Sequence, residues 1–193
     1  DDLLTLSRLE SQGTDLTEQP IQMRSLLEDL AAEARALSGG MHHIELEPGP
    51  PAEVIGSGEE LRSAFSNLIS NAVRYTPEGG PIALRWGVEA DGTGVFSVID
   101  SGLGVAPEHI PRLTERFYRV DRSRSRATGG TGLGLAIVKH VLLRHESRLT
   151  IDSTPGCGST FSVHLPPARV RLEADTADVE DGRRGHFVAP DSR

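Results

Sequence analysis

The order of elements in these 193 residues predicts an α/β two-layer sandwich, a mixed sheet covered on one face by helices. Three observations predict it. Three segments repeat apolar residues at helical spacing, centred near Leu30, Leu68 and Val138. Strand-like runs lie between them, and two neighbouring pairs are joined by turn residues as hairpins. The length fits one domain with short extensions.

The elements follow in order along the chain. Leu3, Leu4, Leu6 and Leu9 suit a helix with no capping residue before it, so residues 1–12 read as the end of a longer helix cut at Asp1. Residues 13–19 are polar and read as a linker. Pro20 to Met23 suits a short edge strand. Leu26, Leu27, Leu30, Ala34 and Leu37 predict a helix over 25–37, stopped by Gly39 and Gly40. His43–Glu47 and Glu53–Ile55 read as strands on either side of a Pro-Gly-Pro-Pro turn. Ser57 caps the next helix, and Glu60 three residues on completes a capping box. That helix runs to about Arg74 and stops before Thr76-Pro77. Ile82–Val88 and Gly94–Asp100 pair through a turn at Asp91-Gly92. Residues 107–113 read as a short helix and 131–144 as an apolar one. Between them, 119–130 is rich in Arg, Ser, Thr and Gly without a period and reads as a mobile loop. Residues 148–153 and 159–165 form a closing hairpin. Beyond Pro166-Pro167 the pattern decays, so 167–193 reads as a disordered tail.

Composition narrows the function classes. A net charge of −8 argues against a nucleic-acid binder. No run of about 18 apolar residues predicts a transmembrane helix, and no signal peptide opens the chain. The single Cys157 suits a reducing cytoplasm. It reads as a turn residue in Pro-Gly-Cys-Gly, with a reactive thiol as the alternative. No Cys/His cluster suggests zinc.

Four polar motifs then stand in fixed order between Asn67 and Gly134. On the helix from Ser57, Leu61, Phe65, Leu68, Ile69 and Ala72 form one stripe, and Ser63, Asn67, Asn71 and Arg74 the opposite one. Asparagine is a poor helix former, so two amides at i and i+4 ask for a reason. One reading is a solvated polar face; the other is a ligand site, because an amide carbonyl is a hard oxygen suited to Mg²⁺. Asp100-Ser-Gly102-Leu-Gly104 follows a strand and reads either as a simple turn or as a carboxylate beside a close backbone approach. Glu115-Arg-Phe117-Tyr comes next. Gly130-Thr131-Gly132-Leu133-Gly134 opens a helix and leaves amides free for phosphate. It is neither a Rossmann fingerprint nor a P-loop, since no strand precedes it and no Gly-Lys-Ser/Thr follows. Arg119, Arg122, Arg124 and Arg126 stand between the last two motifs, as a solvated basic loop or as phosphate ligands.

Together these motifs resemble the N box, first glycine box, F box and second glycine box of sensor histidine kinase ATP-binding domains, over residues 20–166. Leu113-Thr-Glu-Arg-Phe-Tyr-Arg-Val-Asp121 and Ala136-Ile-Val-Lys-His140 look most like the phosphate-regulon branch. The resemblance implies the fold shared with gyrase-type, Hsp90-type and MutL-type ATPases. It implies Mg²⁺ on Asn71, with Asn67 near the phosphates or the metal's waters. Arg74 meets phosphate, Tyr75 packs on adenine, and Asp100 accepts from the adenine amino group beside Gly102 and Gly104. Phe117 anchors an ATP lid on the domain. Gly130, Thr131, Gly132, Leu133 and Gly134 hold phosphates, and Arg119 with Arg122 or Arg124 reaches the γ-phosphate. The related ATPases carry glutamate where Asn67 stands, and an amide cannot take a proton. Phosphotransfer is thereby favoured over hydrolysis.

None of His42, His43, His109, His140, His145, His164 and His186 has the phosphoacceptor signature. The acceptor is expected upstream, on the dimerisation helices of a membrane-tethered parent. The implied partners are ATP, those helices and a response regulator of winged-helix transcription-factor type. The rival from another class is a nucleotide-sensing module that transfers nothing.

Overall fold

The computed structural model describes residues 2–11, 16–120 and 130–173. Helix α1 spans Asp2–Ser11, α2 Met23–Ser38, α3 Gly58–Tyr75 and α4 Gly134–Arg144. Strands are β1 Gln19–Gln22, β2 His43–Glu47, β3 Ala52–Gly56, β4 Pro81–Val88, β5 Gly94–Asp100, β6 Arg148–Thr154, β7 Gly158–Leu165 and β8 Val170–Leu172.

The main sheet runs β2-β4-β5-β7-β6. β2 lies parallel to β4 and the other pairings are antiparallel, so the sheet is mixed. Alternation decides which face is covered. Ile82, Leu84 and Trp86 of β4, Phe96 and Val98 of β5, and Val163 and Leu165 of β7 all point inward. Against them lie the apolar stripes of α2, α3 and α4, with α3 between the other two. Phe65 of α3 meets Phe96 of β5 with ring centroids 4.3 Å apart. Both rings are fully buried, so this contact pins the N-box helix to the sheet.

β2 and β3 do not pair across their Pro-Gly-Pro-Pro turn. β3 joins a second, three-stranded sheet, β1-β3-β8. The turn passes directly over β4. Gly49 has φ +58°, and any Cβ there would collide with the Trp86 carbonyl, which leaves glycine as the residue that fits.

The sequence expectation needs correction in four places. The fold continues past Pro166: a 3₁₀ turn at Pro167–Arg169 leads into β8, which pairs antiparallel with β3. Arg169 is buried there, donating to Glu18 at 2.7 Å, to the Ile55 carbonyl at 3.0 Å and to Glu146 at 3.1 Å. The rest of the expected tail, 174–193, lies outside the described residues, as do 12–15 of the expected linker. Residues 107–113 give only a 3₁₀ turn at Ile110–Arg112. Helix α4 starts at Gly134, not Thr131, so the glycine loop ahead of it stays non-helical.

The fourth correction is the capping box. Ser57 Oγ accepts from the Glu60 amide at 3.4 Å, as expected. The reciprocal arm is missing, because the Ser57 amide donates to His145 Nε2 at 3.0 Å. His145 is fully buried at the end of α4, and its Nδ1 donates to the Val141 carbonyl at 2.8 Å. Those two bonds fix the neutral tautomer, and burial holds the imidazole's pKa below its ordinary value. Glu60, released from the box, pairs with Arg144 at 3.0 Å with both side chains largely buried. α3 and α4 are thus tied at the ends away from the pocket.

Candidate nucleotide-binding site

A cavity of about 630 Å³ opens between α3, the end of β5 and the loop before α4. That is the size of a small-molecule site. Each of the four motifs contributes to its wall.

From α3 come Asn67, Asn71, Arg74 and Tyr75. Asn67 Nδ2 donates to the Ser63 carbonyl at 2.9 Å. Only the NH₂ end can donate, so the carbonyl end faces the other way. It points at α4: a Cβ on Gly134 would stand 2.7 Å from Asn67 Oδ1. Gly134 therefore lets the N box and the second glycine box touch. The Asn71 amide has no hydrogen-bond partner among the described residues. Arg74 leans across the cavity, its Nη1 only 2.7 Å from where a Gly130 Cβ would stand. Tyr75 is 42% exposed and lines the mouth.

From β5 comes Asp100, 8% exposed. Its Oδ1 accepts from the Gly102 amide at 2.8 Å. Burial raises the carboxyl's pKa above its ordinary value, and backbone amides of Gly102 and Ser159 partly oppose that. Gly102 does not line the cavity. It is buried, and a Cβ there would stand 2.5 Å from the Tyr75 carbonyl. Gly104 does line the wall, with φ +64°.

From the last box, Gly130, Thr131, Gly132 and Gly134 line the cavity, whereas Leu133 is buried in the core. Its amide donates to Thr131 Oγ1 at 3.3 Å. No side chain among the described residues caps the N-terminus of α4, so its first-turn amides keep their partial positive charge at the cavity.

The F box departs from expectation. Phe117 is 60% exposed and lies outside the cavity wall, so among the described residues its ring is not a buried anchor. What holds the segment is backbone: Phe117, at φ +61°, donates its amide to the Gly132 carbonyl at 2.9 Å. The aromatic that this segment puts on the wall is its neighbour Tyr118. Arg119 also lines the cavity, whereas Arg122, Arg124 and the rest of the expected lid, 121–129, lie outside the described residues.

Of the wall residues that escaped the sequence reading, Ser159, Tyr118 and Asp2 show why. Ser159 faces Asp100 across the β5–β7 register, a pairing no local pattern encodes. Tyr118 stood inside a motif but beside a more conspicuous Phe. Asp2 arrives from the far end of the chain: α1 packs Leu6 and Leu9 against the core, and Asp2 Oδ2 accepts from Thr131 Oγ1 at 2.6 Å.

Comparison with known proteins places this arrangement. Residues 56–169 match the family described as histidine kinase-, DNA gyrase B- and HSP90-like ATPase. The chain is 54% identical over 170 residues to the phosphate regulon sensor protein PhoR of Pseudomonas aeruginosa, covering 88% of this chain and 38% of that protein. It is 44% identical over 161 residues to the protein of the same name in Haemophilus influenzae, covering 83% and 37%. This chain therefore spans well under half the length of those relatives. Among solved structures, the mycobacterial sensor histidine kinase MprB superposes with a TM-score of 0.68 at 28% identity, over 78% of this chain and 97% of that one. Full-length ShkA in complex with AMPPNP superposes with a TM-score of 0.73 at 28% identity, over 86% of this chain and 34% of that one. The chain belongs to the histidine kinase-, DNA gyrase B- and HSP90-like ATPase family and, within it, to the ATP-binding domains of sensor histidine kinases.

Proposed function

We propose that this domain binds Mg·ATP and donates the γ-phosphoryl group to a histidine on a dimerisation helix of a longer protein, for relay to a response-regulator aspartate. Asn67 carries the reading. A hydrolysing enzyme needs a base for its water, and an amide whose NH₂ is committed to Ser63 cannot serve. What remains in the cavity is equipment for placing and neutralising a phosphate chain, which is most of what phosphoryl transfer asks of a protein.

The residues fit the roles as follows. Asp100 accepts from the adenine amino group, with Tyr75 packing on the base. Arg74 and Arg119 meet phosphate oxygens beside the first-turn amides of α4. Arg122 and Arg124 remain candidates for the γ-phosphate. Asn71 offers an amide oxygen with no protein partner among the described residues, suited to Mg²⁺. That cation takes one or two protein ligands when phosphates and waters supply the others. A site without a carboxylate cluster among the described residues is consistent with this. When bound, the cation neutralises charge on the phosphate oxygens. The likeness to proteins named as phosphate regulon sensors supports phosphate sensing; a winged-helix regulator as partner and a cytoplasmic placement in a parent tethered to the inner membrane belong to the same proposal.

Incubation of this chain with labelled ATP and a separately supplied two-helix dimerisation segment tests the proposal. Phosphohistidine is expected on the segment and none on this chain alone. Nucleotide binding with an unlabelled segment would favour a nucleotide-sensing module instead.

A further inference from the structure

One aromatic side chain on the cavity wall is held from two directions. Tyr118 Oη lies 2.7 Å from His109 Nδ1. The Arg112 guanidinium lies over the ring, 4.3 Å from its centroid, and Arg112 Nη2 donates to Glu115 Oε2 at 3.2 Å. An exposed loop tyrosine needs neither contact, since water would solvate its hydroxyl and ring edge. Here both the hydroxyl and one face are fixed. His109 is itself placed by the turn: its amide donates to the Ala106 carbonyl at 2.9 Å, and its carbonyl accepts from the Arg112 amide at 3.0 Å.

The orientation of Tyr118 bears on the residue that follows it. Arg119 runs across the glycine loop: a Cβ on Gly132 would stand 3.4 Å from Arg119 Cγ, and one on Gly130 would stand 3.6 Å from Nη2. Arg74 Nη1 approaches the same Gly130 from α3. Two guanidiniums therefore converge on the glycine loop. One comes from a buried helix; the other comes from an irregular segment.

We propose that the Tyr118–His109 pair is a positioning device that holds Arg119 over the glycine loop, where it pairs with the terminal phosphate of ATP. The pair supplies for Arg119 the rigidity that α3 supplies for Arg74. This rests on the nucleotide reading of the site. Arg119 so held reaches the last phosphate, so loosening it penalises ATP more than ADP.

Titration calorimetry with Mg·AMPPNP and Mg·ADP tests the pair. His109→Ala is expected to weaken AMPPNP roughly five- to tenfold and ADP less than about twofold. His109→Asn, whose Oδ1 can stand in for Nδ1, is expected to restore AMPPNP affinity to within about twofold of wild type. Tyr118→Phe added to His109→Ala should cost no more than about twofold further, because the bond is already gone. Equal weakening of both nucleotides, no rescue by asparagine, or additive losses in the double variant would overturn the positioning role. Failure of the wild type to bind either nucleotide would overturn the nucleotide site itself, and this proposal with it.

Discussion

The two ends of the cavity are built on different principles. At the β5 end, Asp100 is 8% exposed and already engaged by the Gly102 and Ser159 amides, with Gly102 wedged against the Tyr75 carbonyl. At the α4 end, neither the helix amides nor the Asn71 amide has a side-chain partner among the described residues. The first end has its polar groups engaged by protein, and in the proposed function the second is completed by a ligand. On the proposed reading, the preorganised end recognises what every adenine nucleotide shares. An end whose polar groups await a partner can respond to how many phosphates arrive and whether a cation accompanies them.

Substitutions can break that contrast one end at a time. The largest effect is expected from Asn71→Ala, which removes the proposed metal oxygen. Phosphoryl transfer to a supplied dimerisation segment should fall by about 100-fold or more, measured as initial labelling rate. Transfer at the wild-type rate would remove Asn71 from the site. Asp100→Ala should cost roughly 1.5–3 kcal/mol in binding, about ten- to a hundredfold. Calorimetry should find the loss equal for ATP and ADP, because the adenine end cannot count phosphates. A loss confined to ATP would contradict the division between the ends.

Gly134→Ala sharpens the other side. Its Cβ would press on Asn67 Oδ1 and push the N box from the loop. An overpacking cost of about 1–3 kcal/mol is expected, read as a larger loss for AMPPNP than for ADP. The smallest effects concern pH. Burial raises the Asp100 pKa, so adenine-end affinity should decline as pH falls through that value, earlier than for an exposed aspartate. His145 works on stability. Its native pKa is depressed below 6.5, so the unfolded chain binds the proton more readily and stability falls as pH drops below that value. Urea unfolding of His145→Gln should show a flatter pH dependence there than wild type. An unchanged slope would assign the pH sensitivity to another group.

Local pattern carried much of this molecule. The stripe of Leu61, Phe65, Leu68, Ile69 and Ala72 needs only the helical period to be seen, and the same period placed Asn67, Asn71 and Arg74 on the other face. Glycines before α4 announced free amides because their position relative to a helix start is a sequence property. What the sequence left open depends on groups far apart along the chain. Phe117 looked like the anchor by type, yet a backbone bond to Gly132 does that work and Tyr118 takes the wall. The Ser57–Glu60 box was written locally, but His145, 88 residues on, took one arm of it. β8 carried no signal of its own because three residues cannot establish a period. It exists because β3 offered an edge and Arg169 found Glu18, 151 residues back. Periodicity and capping chemistry act within a few residues and are therefore legible in sequence. Pairing partners, burial and competition for a hydrogen bond are settled only when distant segments meet, so tertiary structure alone decided them.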